Sequence, residues 1–311
     1  MPATLELMAL SRRVFLQGGA GGLLAAGLAR PPAALGKKPA PVLTRSIPST
    51  GEKIPALGLG TWQTFDLPGD RVAAVQPVVD RFFELGGRLI DSSPMYGDAE
   101  AAVGALLAGR KDKAARPFLA TKVWTSGKAD GAAQMRRSAE RFRVKQIDLM
   151  QVHNLLDWKT HLPVLREWKQ AGTFRYIGVT HYQHSAFDEL ERIIQREKID
   201  AVQLPYSVVD REAEKRLLPA ARDAGVAVLV MSPFESGALF RQVKGKPLPV
   251  WAADIDCTSW AQLFLKFLLG HPAVTCPLPA TAKPRHLDDN MTALRGRLPD
   301  AALRERIAAL V

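Results

Sequence analysis

From Ala56 onward the chain repeats one unit eight times: a short apolar run, then a stretch of helical length. The runs are Ala56–Gly60, Gly87–Asp91, Pro117–Lys122, Ile147–His153, Phe174–Thr180, Ala201–Leu204, Val226–Ser232 and Ala273–Leu278. The helix-like stretches are Arg71–Leu85, Ala99–Leu107, Gln134–Phe142, His161–Ala171, Phe187–Glu197, Ala213–Ala224, Ser259–Leu269 and Pro284–Leu294. Several carry helical apolar spacing, as in Leu190, Ile193 and Ile194. Gly86, Gly172, Gly225 and Gly270 stand just past helix ends, where a left-handed residue is wanted. Repeated strand-then-helix units make a parallel sheet covered by helices. Right-handed crossovers leave two architectures, an open doubly wound sheet or a closed barrel. The count of eight favours the α/β class as a (β/α)8 TIM barrel. Ahead of it, Val42–Leu59 holds the turn Ser49-Thr50-Gly51-Glu52 between two extended pieces. That reads as a β-hairpin placed to plug the barrel bottom. Residues 41–311 are expected to be one barrel domain.

Residues 1–40 read as an address and a linker. Ser11-Arg12-Arg13-Val14-Phe15-Leu16 is a twin-arginine pattern, followed by a Gly/Ala-rich apolar run from Gly18 to Ala29. A run of about a dozen residues is too short for the ~20 that span a bilayer. A twin-arginine export signal is the expectation, with the protein exported to the periplasm or beyond and the export machinery as a partner. Pro31–Pro41 reads as a flexible linker. That route carries folded proteins, so a soluble cofactor has to be loaded first or found outside.

The formal net charge is +11, of which Arg12, Arg13, Arg30, Lys37 and Lys38 against Glu6 supply +4. The remaining basic residues are dispersed, which reads as a solvated surface and gives no support to a nucleic-acid face. Two cysteines, Cys257 and Cys276, make neither a disulfide framework nor a metal site. Two buried thiols are the favoured reading, with a single bridge left open.

Polar residues recur where the apolar runs end. Asp91, Lys122 and His153 close the second, third and fourth runs, 31 residues apart. Thr180, Gln203 and Ser232 end or nearly end the next three. In a barrel all these ends face one mouth, where active sites form. Tyr96 lies in the short loop after Asp91 and hangs over the same mouth. Taken singly, Asp91 with Lys122 reads equally well as a structural ion pair. With Tyr96 and His153 the set has a chemistry. A phenol has an ordinary pKa near ~10. A neighbouring ammonium lowers it, a carboxylate keeps the ammonium charged, and an imidazole orients a carbonyl oxygen. Such a group protonates an oxygen that becomes negative, as in hydride addition to a carbonyl. There is no carboxylate cluster and no His-rich spacing for metal hydrolysis or phosphoryl transfer. No Gly-x-Gly-x-x-Gly sits at a strand-to-helix turn, and the glycines from Gly18 to Gly22 lie in the N-terminal segment.

Five stretches in order carry a family likeness: Leu57-Gly58-Leu59-Gly60-Thr61-Trp62, Ile90-Asp91-Ser92-Ser93-Pro94-Met95-Tyr96-Gly97, Ala120-Thr121-Lys122-Val123-Trp124, Gln151-Val152-His153 and Tyr176-Ile177-Gly178-Val179-Thr180. From about Ile54 to Asn290 the sequence resembles the aldo-keto reductases. The resemblance implies a nicotinamide-dependent reductase of aldehydes or ketones. In it Tyr96 is the general acid, Lys122 tunes it, Asp91 pairs with Lys122 and His153 positions the carbonyl. It also implies a cofactor lying across the mouth. Thr61, Trp62, Asp91, Thr180, His181, Gln203 and Met231 would meet its nicotinamide end. Ser232, Pro233, Phe234, Gly237 and Leu239 would meet its pyrophosphate. Thr281, Lys283, Arg285, His286, Asp289 and Asn290 would meet its adenosine end. Trp62, Trp124 and Asn154 are the substrate candidates, and a monomer is implied.

Some positions depart from the family pattern. Thr180-His181 stands for a Ser-Asn pair, and Met231 for a stacking aromatic. Ala280-Thr281 stands for Lys-Ser, and His286 for an arginine, although Lys283 and Arg285 are close. NADP(H) is thus weakly favoured over NAD(H). These departures, with the export signal, motivate an alternative: an exported cofactor-binding or redox-sensing barrel with little turnover. Trp158 reads as pocket or core, Trp168 and Trp260 as core, and His184 and His271 as structural. Phe240–Asp256 reads as a lid or an exposed linker.

Overall fold

The structure is a computed structural model that describes residues 41–110 and 115–311. The twin-arginine pattern and most of the linker lie outside the described residues. Strands β1 (Thr44–Ser46) and β2 (Lys53–Pro55) pair antiparallel, with Arg45 opposite Ile54. Eight further strands follow: β3 (Leu59–Gly60), β4 (Leu89–Asp91), β5 (Phe118–Val123), β6 (Ile147–His153), β7 (Phe174–Thr180), β8 (Ala201–Pro205), β9 (Ala227–Met231) and β10 (Val274–Pro277). They form one sheet in chain order, each parallel to the next. Gly58 and Gly60 donate their backbone N–H groups to Pro277 and Pro279 at 2.9 and 3.0 Å, and Gly60 bridges Ala280. The first barrel strand therefore meets the last, and the sheet is closed.

Alternation along the strands sorts side chains into two cores. The outward set, such as Ile90, Leu119, Met150, Ile177 and Val202, packs under the helices in the larger core. The inward set near the strand starts is apolar: Leu89, Phe118, Leu149, Tyr176, Ala227 and Leu229 pack with Ile47 and Ile54 of the hairpin. Each leucine, isoleucine or phenylalanine among them contributes about 1.5–3 kcal/mol when fully buried. The hairpin covers the barrel bottom as expected, and Tyr176 pins it through hydrogen bonds with Thr50 (2.8 Å) and Glu52 (2.7 Å). Further up the same inward faces the residues turn polar, as Leu89 gives way to Asp91, Ala120 to Lys122, and Leu149 to Gln151 and His153.

The helices differ from expectation in instructive places. The helix expected from Gln134 begins at Lys128 and runs to Phe142. It includes Gly131, where a Cβ would stand 2.4 Å from the His161 ring, so this glycine serves close packing and not termination. The stretch Ala213–Ala224 is two helices, Glu212–Lys215 and Leu217–Asp223, divided at Arg216. Pro219 explains the break, since its ring clashes with the carbonyl four residues back. Arg71–Leu85 is a 3-10 turn, Gly69–Val75, followed by the α-helix Gln76–Glu84. Gly86, Gly172 and Gly225 have φ of 91°, 78° and 67°, as expected. Gly270 does not: its φ is −70°. Its lack of a side chain admits Pro299, whose oxygen lies 2.7 Å from where a Cβ would stand.

A C-terminal helix, Ala301–Ala308, extends beyond the eight expected units. Asp300 caps it by accepting from the Leu303 N–H at 2.8 Å, and Arg304 ties it to Phe267 O (2.9 Å), to Tyr206 and to Glu214. Between Phe240 and Asp256 the chain is part exposed and part packed: residues 244–247 and Val250 face solvent, while Val243 is buried. Ala252 and Ile255 are buried, and the Lys246 backbone carbonyl accepts from the Trp260 indole N–H at 3.2 Å. Trp158, Trp168 and Trp260 are half-buried and packed against the main core. Both cysteines are free, buried thiols.

Candidate active site

Asp91, Lys122 and His153 end their strands on the inward face of neighbouring strands and so converge at the mouth. The Lys122 ammonium lies 2.8 Å from Asp91 Oδ2 and 2.7 Å from Ser92 O. Both side chains are sealed, with 1% and 5% exposure. Two carboxamides hold Asp91 from the far side. Gln203 donates to Oδ2 at 3.2 Å and Gln151 to Oδ1 at 3.5 Å, and Gln151 also donates to Gln203 at 3.2 Å. The Thr61 hydroxyl donates to Asp91 O at 2.9 Å. Tyr96 hangs over this group, with Lys122 Nζ 5.2 Å from its ring centre. Its ring meets His153 edge to face at 6.0 Å. Trp124, exposed at the rim, lies 6.3 Å from His153, and Trp62, just past the end of β3, is also exposed.

The electrostatics of the phenol run against the sequence expectation. Burial pushes the Tyr96 pKa up, Lys122 draws it down, Asp91 pushes it up again, and the net shift is upward. A charge spacing in sequence carries no desolvation cost, which is why the expected lowering fails. Burial opposes the charge on Lys122, but Asp91, Tyr96 and Glu100 outweigh it and raise its pKa. At neutral pH the set is therefore a protonated phenol beside a fixed ammonium.

Burial, with Lys122 and His181, pushes the His153 pKa down to about 3. Burial, aided by Arg304, pushes His271 down to about 4. The unfolded chain protonates both near ~6.5. Between those values the unfolded state holds more protons, so stability is full above about 6.5 and falls as the pH drops towards 4 and 3. We expect denaturant midpoints to fall steadily below pH 6.5, with His271→Asn flattening part of the slope. A midpoint that does not change between pH 7 and pH 4.5 contradicts neutral, buried imidazoles.

The residues assigned to a cofactor fit such a group in part. Thr180 Oγ1, at the end of β7, is buried without a hydrogen-bond partner, an expensive state that an incoming carboxamide relieves. The loop after β9 holds Ser232, Glu235, Ser236 and Gly237 at φ of 52°, 50°, 50° and 85°. That is a strained backbone suited to an anionic group. Pro233 is buried and Phe234 half-buried, while Leu239 is buried in the core and meets a ligand only through its backbone. Met231 is half-buried at its strand end. Lys283, Arg285 and His286 are exposed at the start of the helix Pro284–Thr292. Thr281 is mostly occupied by its own turn, accepting from the Lys283 N–H at 3.1 Å. Asp289 is engaged by Ser259 (2.9 Å) and Gln262 (2.6 Å), and Asn290 is buried. Asn154 sits just past His153 with φ of 52°.

Three residues at the site escape the reading of strand ends alone. Ser92 supplies the carbonyl that accepts from Lys122, Ser93 lies against His153, and Gln151 holds Asp91. Alternation contains the signal for Gln151, which precedes His153 by two positions, while Ser93 lies in the loop beyond β4.

Fold and site define a barrel oxidoreductase that acts on carbonyl groups. The profile of the Aldo/keto reductase family matches residues 56–308. The NADH-specific methylglyoxal reductase of Escherichia coli (strain K12) is 25% identical, over 82% of this chain and 89% of its own. An aldo-keto reductase from Bacillus halodurans, in holo form, superposes with a TM-score of 0.71 at 23% identity, covering 87% of this chain and 96% of that one. One from Klebsiella pneumoniae, in complex with NADP and acetate, gives a TM-score of 0.69 at 23% identity, covering 83% and 93%. The chain belongs to the aldo/keto reductase family.

Proposed function

We propose that this protein reduces an aldehyde or ketone to its alcohol with Tyr96 as general acid, Lys122 and Asp91 setting its charge environment and His153 orienting the carbonyl. The observation that carries the reading is the sealed Lys122 ammonium, locked to Asp91 at 2.8 Å directly under the Tyr96 ring. A nicotinamide cofactor, when bound, supplies the hydride. The protein's own part is placement and proton supply. Tyr96 holds a proton at its phenol oxygen through neutral pH. Lys122, kept charged by Asp91, stabilises the phenolate left after that proton is given up. Trp62 and Trp124 at the rim offer apolar faces to the substrate, with Asn154 beside them. Thr61, Thr180, His181, Gln203 and Met231 would hold the nicotinamide end, the Ser232–Leu239 loop the pyrophosphate, and Thr281–Asn290 the adenosine.

Lys283 and Arg285, exposed at the start of the helix Pro284–Thr292, favour NADP(H), since a 2′-phosphate supplies them a counter-charge. The Escherichia coli relative bears the opposite preference in its name. The test is the oxidation of NADPH and NADH by the purified protein with a panel of aldehydes and ketones. Carbonyl-dependent oxidation, faster with NADPH, is the expected outcome. Tight cofactor binding without turnover favours the alternative of a redox-sensing barrel.

The Arg12-Arg13 pattern supports export of the folded, monomeric protein by the twin-arginine route. Cell fractionation should find it outside the cytoplasm, and Arg12→Lys with Arg13→Lys should retain it inside. Cytoplasmic location of the unaltered protein would remove this part of the reading.

A further inference from the structure

His153 is 6% exposed, and its ring is held at one nitrogen. Nδ1 lies 3.0 Å from Ser93 Oγ. Nε2 has no hydrogen-bond partner among the described residues and is not sealed from solvent, so it opens on the cleft. A neutral imidazole has one N–H, and which nitrogen carries it decides whether the ring offers the cleft a donor or a lone pair.

Ser93 decides that question by counting. Its hydroxyl has one hydrogen and two lone pairs. It is fully buried, and one lone pair already accepts from the Met95 backbone N–H at 3.2 Å. Suppose Nδ1 carried the proton. It would occupy the second lone pair, and the serine hydrogen would be buried with no acceptor among the described residues. That costs as much as a lost hydrogen bond. With Nδ1 bare, Ser93 donates to it and accepts from Met95, and every group is satisfied. Burial and the nearby Lys122 disfavour the doubly protonated ring.

We propose that Ser93 is a positioning residue that locks His153 as its Nε2–H tautomer, so that the ring presents an N–H donor to the cleft. The proposal rests on the reading of His153 as the group that orients a carbonyl. A donor at Nε2 holds the carbonyl oxygen, whereas a bare nitrogen there repels it. The same turn carries both parts of the device, because the Tyr96 N–H donates to Ser93 O at 3.0 Å. The phenol and the lock on the imidazole are thus set by one four-residue turn, Ser93 to Tyr96.

Nitrogen NMR of the histidine-labelled protein without cofactor tests this directly. His153 should show a protonated Nε2 and a bare Nδ1, and Ser93→Ala should give a mixture of tautomers. In steady state Ser93→Ala should lower kcat for carbonyl reduction about tenfold, with cofactor Kd unchanged. A protonated Nδ1 in the unaltered protein overturns the proposal, and so does an Nε2–H form fully retained in Ser93→Ala. If Ser93→Ala fails to fold, the spectrum of the unaltered protein still decides. Absence of carbonyl turnover with the Nε2–H form intact would instead count against the functional reading and leave the lock in place.

Discussion

Tyr96→Phe should lower carbonyl reduction about 10³-fold, equivalent to ~4 kcal/mol of transition-state stabilisation, while leaving cofactor affinity within about twofold. The substitution removes one oxygen, and with it the hydroxyl's interaction with Lys122, and keeps the half-buried ring that meets His153 edge to face. The fold should therefore tolerate it. What is lost is the proton. Among the described residues no other group is placed to give one up: Lys122 is held charged by Asp91, and His153 is neutral down to about pH 3. Steady-state rates with the best aldehyde of a panel, together with cofactor titration, separate this from a binding defect. Turnover comparable to the unaltered protein would remove the phenol as the acid.

The second large effect concerns stability and chemistry together. Lys122→Met should destabilise the protein by about 3–5 kcal/mol and abolish reduction. The ammonium is enclosed, so its loss leaves the Asp91 carboxylate buried with only the Gln151 and Gln203 amides and the surrounding dipoles. Adding Asp91→Asn should restore most of the denaturation midpoint, because the uncompensated charge is gone. It should not restore activity, because the phenolate still lacks its cation. A double variant no more stable than Lys122→Met alone would mean that the pair is not the main electrostatic constraint on this core.

The barrel is legible because its strands are buried on both faces, so each stands out as an apolar run between helices of opposite pattern. The mouth is legible because Asp91, Lys122 and His153 recur at strand ends with one spacing. What escapes is set by packing. Gly131 looks like a helix breaker until the His161 ring is seen against it. Gly270 looks like a left-handed cap, but its backbone is right-handed and its missing side chain makes room for Pro299. The C-terminal helix stands outside the repeated unit and depends on Arg304 reaching Tyr206 and Glu214, which no local pattern announces. The upward shift of the Tyr96 pKa depends on how far burial outweighs a neighbouring charge, and that balance exists only in three dimensions.

The most direct measurement follows deuterium from reduced nicotinamide cofactor carrying it at both C4 positions, during single turnover with an aldehyde. The account predicts one deuterium on the carbinol carbon of the product for each cofactor oxidised, with transfer by Tyr96→Phe slowed about 10³-fold. Unlabelled alcohol, or equal transfer rates in both proteins, would contradict it.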